Sequence, residues 1–221
     1  AGDGSMDEAS LLAALDWVIA QAAQHPISVV NLSVSTSELF SGACDAQFPL
    51  WGQRISQLDA KGVAVVAATG NAKVGVTGRV GAPACLSGVI GVSATDLADG
   101  RAGFAHIAST TKLFAPGVDV VAPVPPAVQA SGYRKMSGTS MAAPHVAGAI
   151  AVMREAQSVA HPVSHLVNVL RGTGRNVSTP VGTIPRIDVG AAVERPLAPA
   201  RVAATHGNGR ATVSWTAASP G

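Results

Sequence analysis

From Gly138 to Gly148 the chain reads Gly-Thr-Ser-Met-Ala-Ala-Pro-His-Val-Ala-Gly, and it continues through Ile150, Ala151 and Val152. Between Thr139 and about Arg154 the pattern is apolar nearly all round, which marks a helix enclosed by other layers rather than one lying on a surface. Pro144 is tolerable there only because it falls in the first turn, where a missing N–H breaks no helical bond. Ser140 then stands at a helix start. Free backbone N–H groups and the positive end of the helix dipole favour a developing anion at such a position.

Around this segment strand and helix patterns alternate. Ser5-Met6-Asp7-Glu8 reads as a capping box, and Leu11, Leu15, Val18 and Ala22 follow at helical spacing before Pro26, predicting a helix over about 6–24. Residues 27–34 are β-branched and apolar, interrupted by Asn31 and Ser33, and read as a strand buried on both faces. A loop with Cys44 leads to a second helix near 48–61, with Pro49 at its start and Gly62 as its stop. Further strands are expected at 63–69, 89–95 and 118–122, and a further helix at 162–171, closed by Gly172. This alternation predicts an α/β fold, with a mainly parallel sheet, helices on both faces and chemistry at the carboxyl ends of the strands. The Gly70-Asn71 turn lies at such an end.

The 48% of hydrophobic residues in 221 supplies core for one large domain and a fragment of another. A net charge of +2 gives no pull toward nucleic acid or anionic membrane, and no apolar run reaches the roughly 18 residues that a bilayer span needs. Ala1-Gly2-Asp3-Gly4 lacks the start of a signal peptide, so any export signal is expected upstream. Cys44 and Cys85 lie outside any Cys-x-x-Cys or His-rich setting. A disulfide between them fits a secreted protein; two separate buried thiols are the alternative.

Acyl transfer needs a nucleophile at a helix start, a side-chain donor for the oxyanion and an open strand edge for an extended peptide. Ser140, Asn71 and residues 31–35 are candidates for these parts. Each also has a plainer explanation: Ser140 as a cap, Asn71 as a left-handed turn residue, Ser33 as loop polarity.

The segment Gly138 to Gly148 resembles the nucleophile segment of subtilisin-like serine peptidases. Three others agree with it in order. Val30-Asn31-Leu32-Ser33 looks like that family's substrate-pairing strand, Ala67-Ala68-Thr69-Gly70-Asn71 like its oxyanion segment, and Phe114-Ala115-Pro116-Gly117-Val118 like the strand before the serine. The resemblance runs from about Ser5 to Val193. It implies Ser140 as nucleophile, with the Asn71 side chain and the Ser140 N–H as oxyanion hole. It implies Ser33, Val34 and Ser35 as partners of the substrate backbone. Ala67, Ala68, Thr69 and Gly70 would bind substrate along the main specificity pocket, whose small side chains suggest room for a large apolar residue. It also implies a cis peptide at Ala82-Pro83.

That family orders its triad Asp, His, Ser. The histidines here are His25, His106, His145, His161, His165 and His206, and no His-Gly-Thr or Asp-Thr-Gly-like segment accompanies them. His145 reads as a structural residue of the nucleophile helix and His25 as a helix-end residue. The Asp and His are therefore expected before Ala1. After Ala192 the composition shifts toward proline, and residues 199–202 and 211–215 look like the first two strands of a fibronectin type III domain.

The expectation is thus a partial subtilisin-like domain over 1–194, incomplete at its N-terminus, then a linker and a short β tail over 195–221. The expected activity is that of a secreted, monomeric serine endopeptidase acting on peptide or protein substrates, with no nucleic-acid or membrane partner. This piece alone is expected to be inactive. The alternative is a catalytically inactive peptide-binding or structural module. An α/β-hydrolase fits poorly, because Gly138-Thr139-Ser140-Met141-Ala142 lacks the second glycine of Gly-x-Ser-x-Gly. No cofactor is assigned. Structural calcium stays open, since Asp3, Asp45, Asp96 and Asp99 are too scattered to form a ligand set.

Overall fold

Val63, Val65 and Ala67 alternate with Ala64, Val66 and Ala68, and all six are buried, three in each of two separate cores. A strand with both faces covered is the centre of a layered α/β sheet. The computed structural model describes residues 7–156, 161–194, 200–207 and 210–216. In chain order the elements are α1 (Glu8–Gln21), β1 (Val29–Leu32), β2 (Leu39–Phe40), α2 (Pro49–Ala60), β3 (Ala64–Ala68), β4 (Val80–Gly81), β5 (Ile90–Thr95), β6 (Thr111–Pro116), β7 (Val120–Pro123), β8 (Tyr133–Met136), α3 (Thr139–Ala156), α4 (Val163–Thr173), β9 (Arg175–Thr179), β10 (Gly182–Arg186), α5 (Val189–Glu194), β11 (Ala200–Gly207) and β12 (Arg210–Thr216).

Six strands form the main sheet in the order β1-β3-β5-β6-β10-β9. The first five run parallel to their neighbours and β9 returns antiparallel to β10. On one face α3 and α4 contribute Ala142, Val146, Ile150, Met153, Leu166 and Leu170 to a core with Val66, Val92 and Ala94. On the other, Leu11 and Leu15 of α1 join Trp51, Ile55 and Leu58 of α2 over Val65 and Ala67. The α/β arrangement expected from the sequence, a mainly parallel sheet with helices on both faces, is therefore the one observed.

The structure departs from the sequence expectations at several points, each with a local cause. The first helix begins at Glu8, capped by Asp7, whose carboxylate accepts from the Ser10 N–H at 2.7 Å; Ser5 lies outside the described residues. Strand β1 is only half-buried, because among the described strands it is the sheet edge. Strand β7 does not join the main sheet but pairs with β8 as a separate hairpin. Helix α4 runs through Gly172 to Thr173, with Gly174 as its C-cap. Residues 195–199, where the boundary is expected, and Asn208-Gly209 between β11 and β12 lie outside the described residues.

Cys44 and Cys85 form a disulfide, and the Ala82-Pro83 peptide is cis. Among the described residues no helix is long and apolar enough to cross a membrane.

Candidate active site

Parallel strands deliver their following loops to one edge of a sheet. Ser33 follows β1, Gly70 and Asn71 follow β3, and Gly117 follows β6. Gly117 ties the serine segment to this edge, since the Gly138 N–H donates to its carbonyl at 2.8 Å while its own N–H donates to Thr95 at 3.1 Å. A Cβ on Gly117 would collide with Ala94 Cβ and the Gly138 carbonyl, so the close approach needs glycine.

Pro144 is the sixth residue of α3, beyond the first turn where the sequence placed it. Its missing N–H would have donated to the Ser140 carbonyl four residues back. Ser33 supplies the replacement: its Oγ–H donates to the Ser140 carbonyl at 2.8 Å. In the reverse direction the Ser140 hydroxyl donates to the Ser33 carbonyl at 3.1 Å. The helix interior proline, which costs about 3 kcal/mol in an exposed helix, is offset by the burial of Ile150 and Met153 at roughly 1.5–3 kcal/mol each.

Asn71 is fixed from the other side. Its Oδ1 accepts from the Thr139 N–H at 2.9 Å, and among the described residues the Nδ2 hydrogens have no acceptor. Thr139 is fully buried, and its hydroxyl accepts from the Gly70 N–H at 3.1 Å, so this residue couples the β3 turn to the helix start. The left-handed conformation of the turn falls on Gly70, with φ 103°, and not on Asn71. A Cβ on Gly138 would stand 3.5 Å from Asn71 Nδ2 and 3.7 Å from the Ser140 nitrogen. Both donors therefore border one space, which glycine keeps open. As second residue of α3, Ser140 has no helical acceptor for its N–H.

The remaining sequence candidates separate into two groups. Ser35, Ala68 and Gly70 line a cavity of about 530 Å³ shared with Ser140, Asn71 and His106. Ser33 and Val34 line a second cavity, of about 480 Å³, on the other side of the same loop, with Trp51 and Pro83. Ala67 and Thr69 do not face the first cavity. Ala67 packs into the core under α2, and the buried Thr69 hydroxyl donates to the His106 carbonyl at 2.8 Å. His145 turns back onto its own helix, Nδ1 donating to the Met141 carbonyl at 2.8 Å.

Sequence reasoning did not select Thr139 or His106. His106 is only 4% exposed. Its backbone N–H donates to Gly70 at 3.1 Å, its carbonyl accepts from Thr69 and Ser93, and its Nδ1 accepts from the Val76 N–H at 2.8 Å. Burial, and then the nearby Arg101 charge, hold its pKa below the ordinary value of 6.5. The ring is therefore neutral near pH 7 with its proton on Nε2. Among the described residues no group of three or more His, Cys, Asp or Glu side chains could hold a metal ion.

The sequence comparisons assign this layered α/β chain to a family. Residues 1–179 match the subtilase family, and the chain belongs to that family. Alkaline elastase YaB of Bacillus sp. (strain YaB) is 35% identical over 154 residues, covering 70% of this chain and 35% of the elastase. Subtilisin DY of Bacillus licheniformis is 33% identical over 151 residues, covering 68% of this chain and 49% of its own length. The chain thus spans about a third to a half of the length of these curated relatives. The solved structure of the prenylagaramide maturation protease PagA has the same fold, with a TM-score of 0.67 at 21% identity, over 86% of this chain and 68% of that one.

Proposed function

We propose that this chain carries the nucleophile side of a serine endopeptidase site, with Ser140 as nucleophile. The observation that supports this most is the common space bordered by Asn71 Nδ2 and the Ser140 N–H beside the Ser140 hydroxyl. A substrate carbonyl oxygen in that space becomes an anion when Ser140 Oγ attacks the carbonyl carbon, and two preoriented donors stabilise it. The hydroxyl proton passes to a general base, and then to the leaving amine as the peptide bond breaks. Ser33, Val34 and Ser35 border the two cavities and pair with the extended substrate.

The base is assigned, with its aspartate, to sequence before Ala1 in the full-length protein. The Ser140 hydroxyl here donates to a backbone carbonyl, which is too weak a base to take its proton. That contact also favours a second reading, a peptide-binding module without turnover. Further parts of the proposal are peptide or protein substrates, a monomer, and an extracellular setting, to which the Cys44–Cys85 disulfide lends support. The antiparallel β11–β12 pair supports reading the tail as the start of a fibronectin type III domain.

The test is peptide hydrolysis by the full-length protein and its variants. Asn71→Ala is expected to lower kcat by about 10²–10³, the scale found for the equivalent loss in a subtilisin, and Ser140→Ala by about 10⁶. Peptide binding without hydrolysis by the full-length protein decides for the second reading.

A further inference from the structure

The floor of the cavity beside Ser140 is polar. Gly70 and Gly81 lack side chains where two polar groups converge: a Cβ on Gly70 would lie 2.8 Å from His106 Cδ2 and 2.9 Å from Ser35 Oγ, and one on Gly81 would collide with the same Oγ. The imidazole edge and the Ser35 hydroxyl therefore lie within 3 Å of one point. Val76 N–H already occupies the Nδ1 lone pair of His106, so Nε2 carries the proton, and among the described residues Nε2–H has no acceptor. Among the described residues the Ser35 hydroxyl has only a long 3.3 Å bond, to the Thr36 carbonyl.

Arg101 lies behind the ring. It donates to the carbonyls of Ala105 and Val76 and to Thr77 Oγ1, so its charge meets carbonyls and a hydroxyl rather than a carboxylate. The cavity wall thus presents one donor without an acceptor, His106 Nε2–H, and one held only by a long bond, Ser35 Oγ–H, under a positive potential. Leu39, Ala68 and Val76 supply apolar surface above them. A wholly apolar side chain seated here would cover the His106 Nε2–H and leave it without a partner.

We propose that this cavity selects a substrate residue whose side chain ends in a carbonyl or carboxylate oxygen, glutamine or glutamate, accepting from His106 Nε2–H and Ser35 Oγ–H. The residue is the one whose carbonyl Ser140 attacks, so the inference rests on the peptidase reading above. Its aliphatic stem lies against Leu39, Ala68 and Val76, and its oxygen completes the floor. A large apolar residue, the occupant suggested by the small side chains of 67–70, is disfavoured by the same donors.

The experiment measures kcat/KM of the full-length protein on peptides identical except for Gln, Glu, Leu or Met before the scissile bond. Gln and Glu are expected to exceed Leu and Met by at least tenfold. His106→Phe, which keeps a planar ring and removes the donor, is expected to abolish that preference. Ser35→Ala, at a solvent-facing position, is expected to reduce it severalfold with unchanged thermal stability, which covers the case of a misfolded His106 variant. Equal turnover of Leu or Met peptides by the wild type, or an unchanged preference in both variants, overturns the proposal and leaves the peptidase reading intact.

Binding provides a readout independent of turnover. In the Ser140→Ala protein, an N-acetylated peptide ending in Gln is expected to shift the ¹⁵N resonance of His106 Nε2, and its Leu counterpart is not. Equal response to both peptides, or response to neither, overturns the proposal whether or not the protein hydrolyses anything.

Discussion

Ser33 Oγ donates to the Ser140 carbonyl at 2.8 Å, filling the helical position that Pro144 cannot. The same pair is joined a second time by the Ser140 hydroxyl on the Ser33 carbonyl. The loop after β1 and the start of α3 are thus locked together through the one residue that the proposed chemistry needs most. Removing one partner strands an acceptor in the helix, whereas most loop serines can be lost without consequence.

Ser33→Ala is therefore expected to lower stability by about 1–2 kcal/mol, a large effect for a half-buried loop serine. Because the Ser140 backbone loses its anchor, kcat in the full-length protein should fall while KM changes less. Urea denaturation together with steady-state kinetics checks both. A silent substitution would mean that α3 is positioned by Thr139 and Gly117 alone.

The Cys44–Cys85 bond closes a sequence separation of 41 residues around α2 and β3. Constraint of the unfolded chain by a loop of that size contributes about 4 kcal/mol in the chain-entropy model. The Cys44→Ala/Cys85→Ala double variant should lose most of it, read as a lower denaturation midpoint than the oxidised wild type. The reduced wild type should approach the same midpoint.

Acid should weaken the fold in two separate stages. Burial, then Arg101, holds His106 below 6.5, and burial, then His165 and Arg154, does the same for His161. Above pH 6.5 both histidines are neutral in folded and unfolded chains, and stability is full. As pH falls below 6.5 the unfolded chain takes up protons first, so stability declines until the lowered folded values are reached. Asp99 acts later: hydrogen bonds from Arg186 and Arg175 hold its carboxyl below 3.8, so its contribution is present above that value and lost as pH falls through the folded one. Denaturation midpoints followed through both windows check this, and His106→Gln should flatten part of the first stage.

Legibility in the sequence followed from locality. Helix α3 was readable because its enclosure is written into consecutive residues, and Ser140 and Asn71 because both sit inside long contiguous motifs. Strand β6 is central yet opens on Thr111-Lys112 and ends at Pro116, and only its last residues fell within a recognisable segment. No local pattern predicts the β9–β10 pair, since Gly182 and Pro185 argue against a strand and its partners come from tertiary pairing. His106 belongs to no motif. Its place in the cavity wall arises from bonds to Gly70, Val76 and Thr69, some 30 or more residues away, and no local pattern encodes such convergence. Pro144 lies part of a turn deeper in α3 than its local pattern predicts, because its compensation by Ser33 spans 107 residues of sequence.

The most direct test of the central claim is mass-spectrometric mapping of the full-length protein after reaction with a peptidyl diphenyl phosphonate. A serine activated as proposed displaces phenol from phosphorus and keeps the phosphonyl group on Oγ. A single adduct on Ser140, formed in step with the loss of peptide hydrolysis, is the predicted result. Hydrolysis that persists in Ser140→Ala, or an adduct on another residue that accounts for the inhibition, would contradict it.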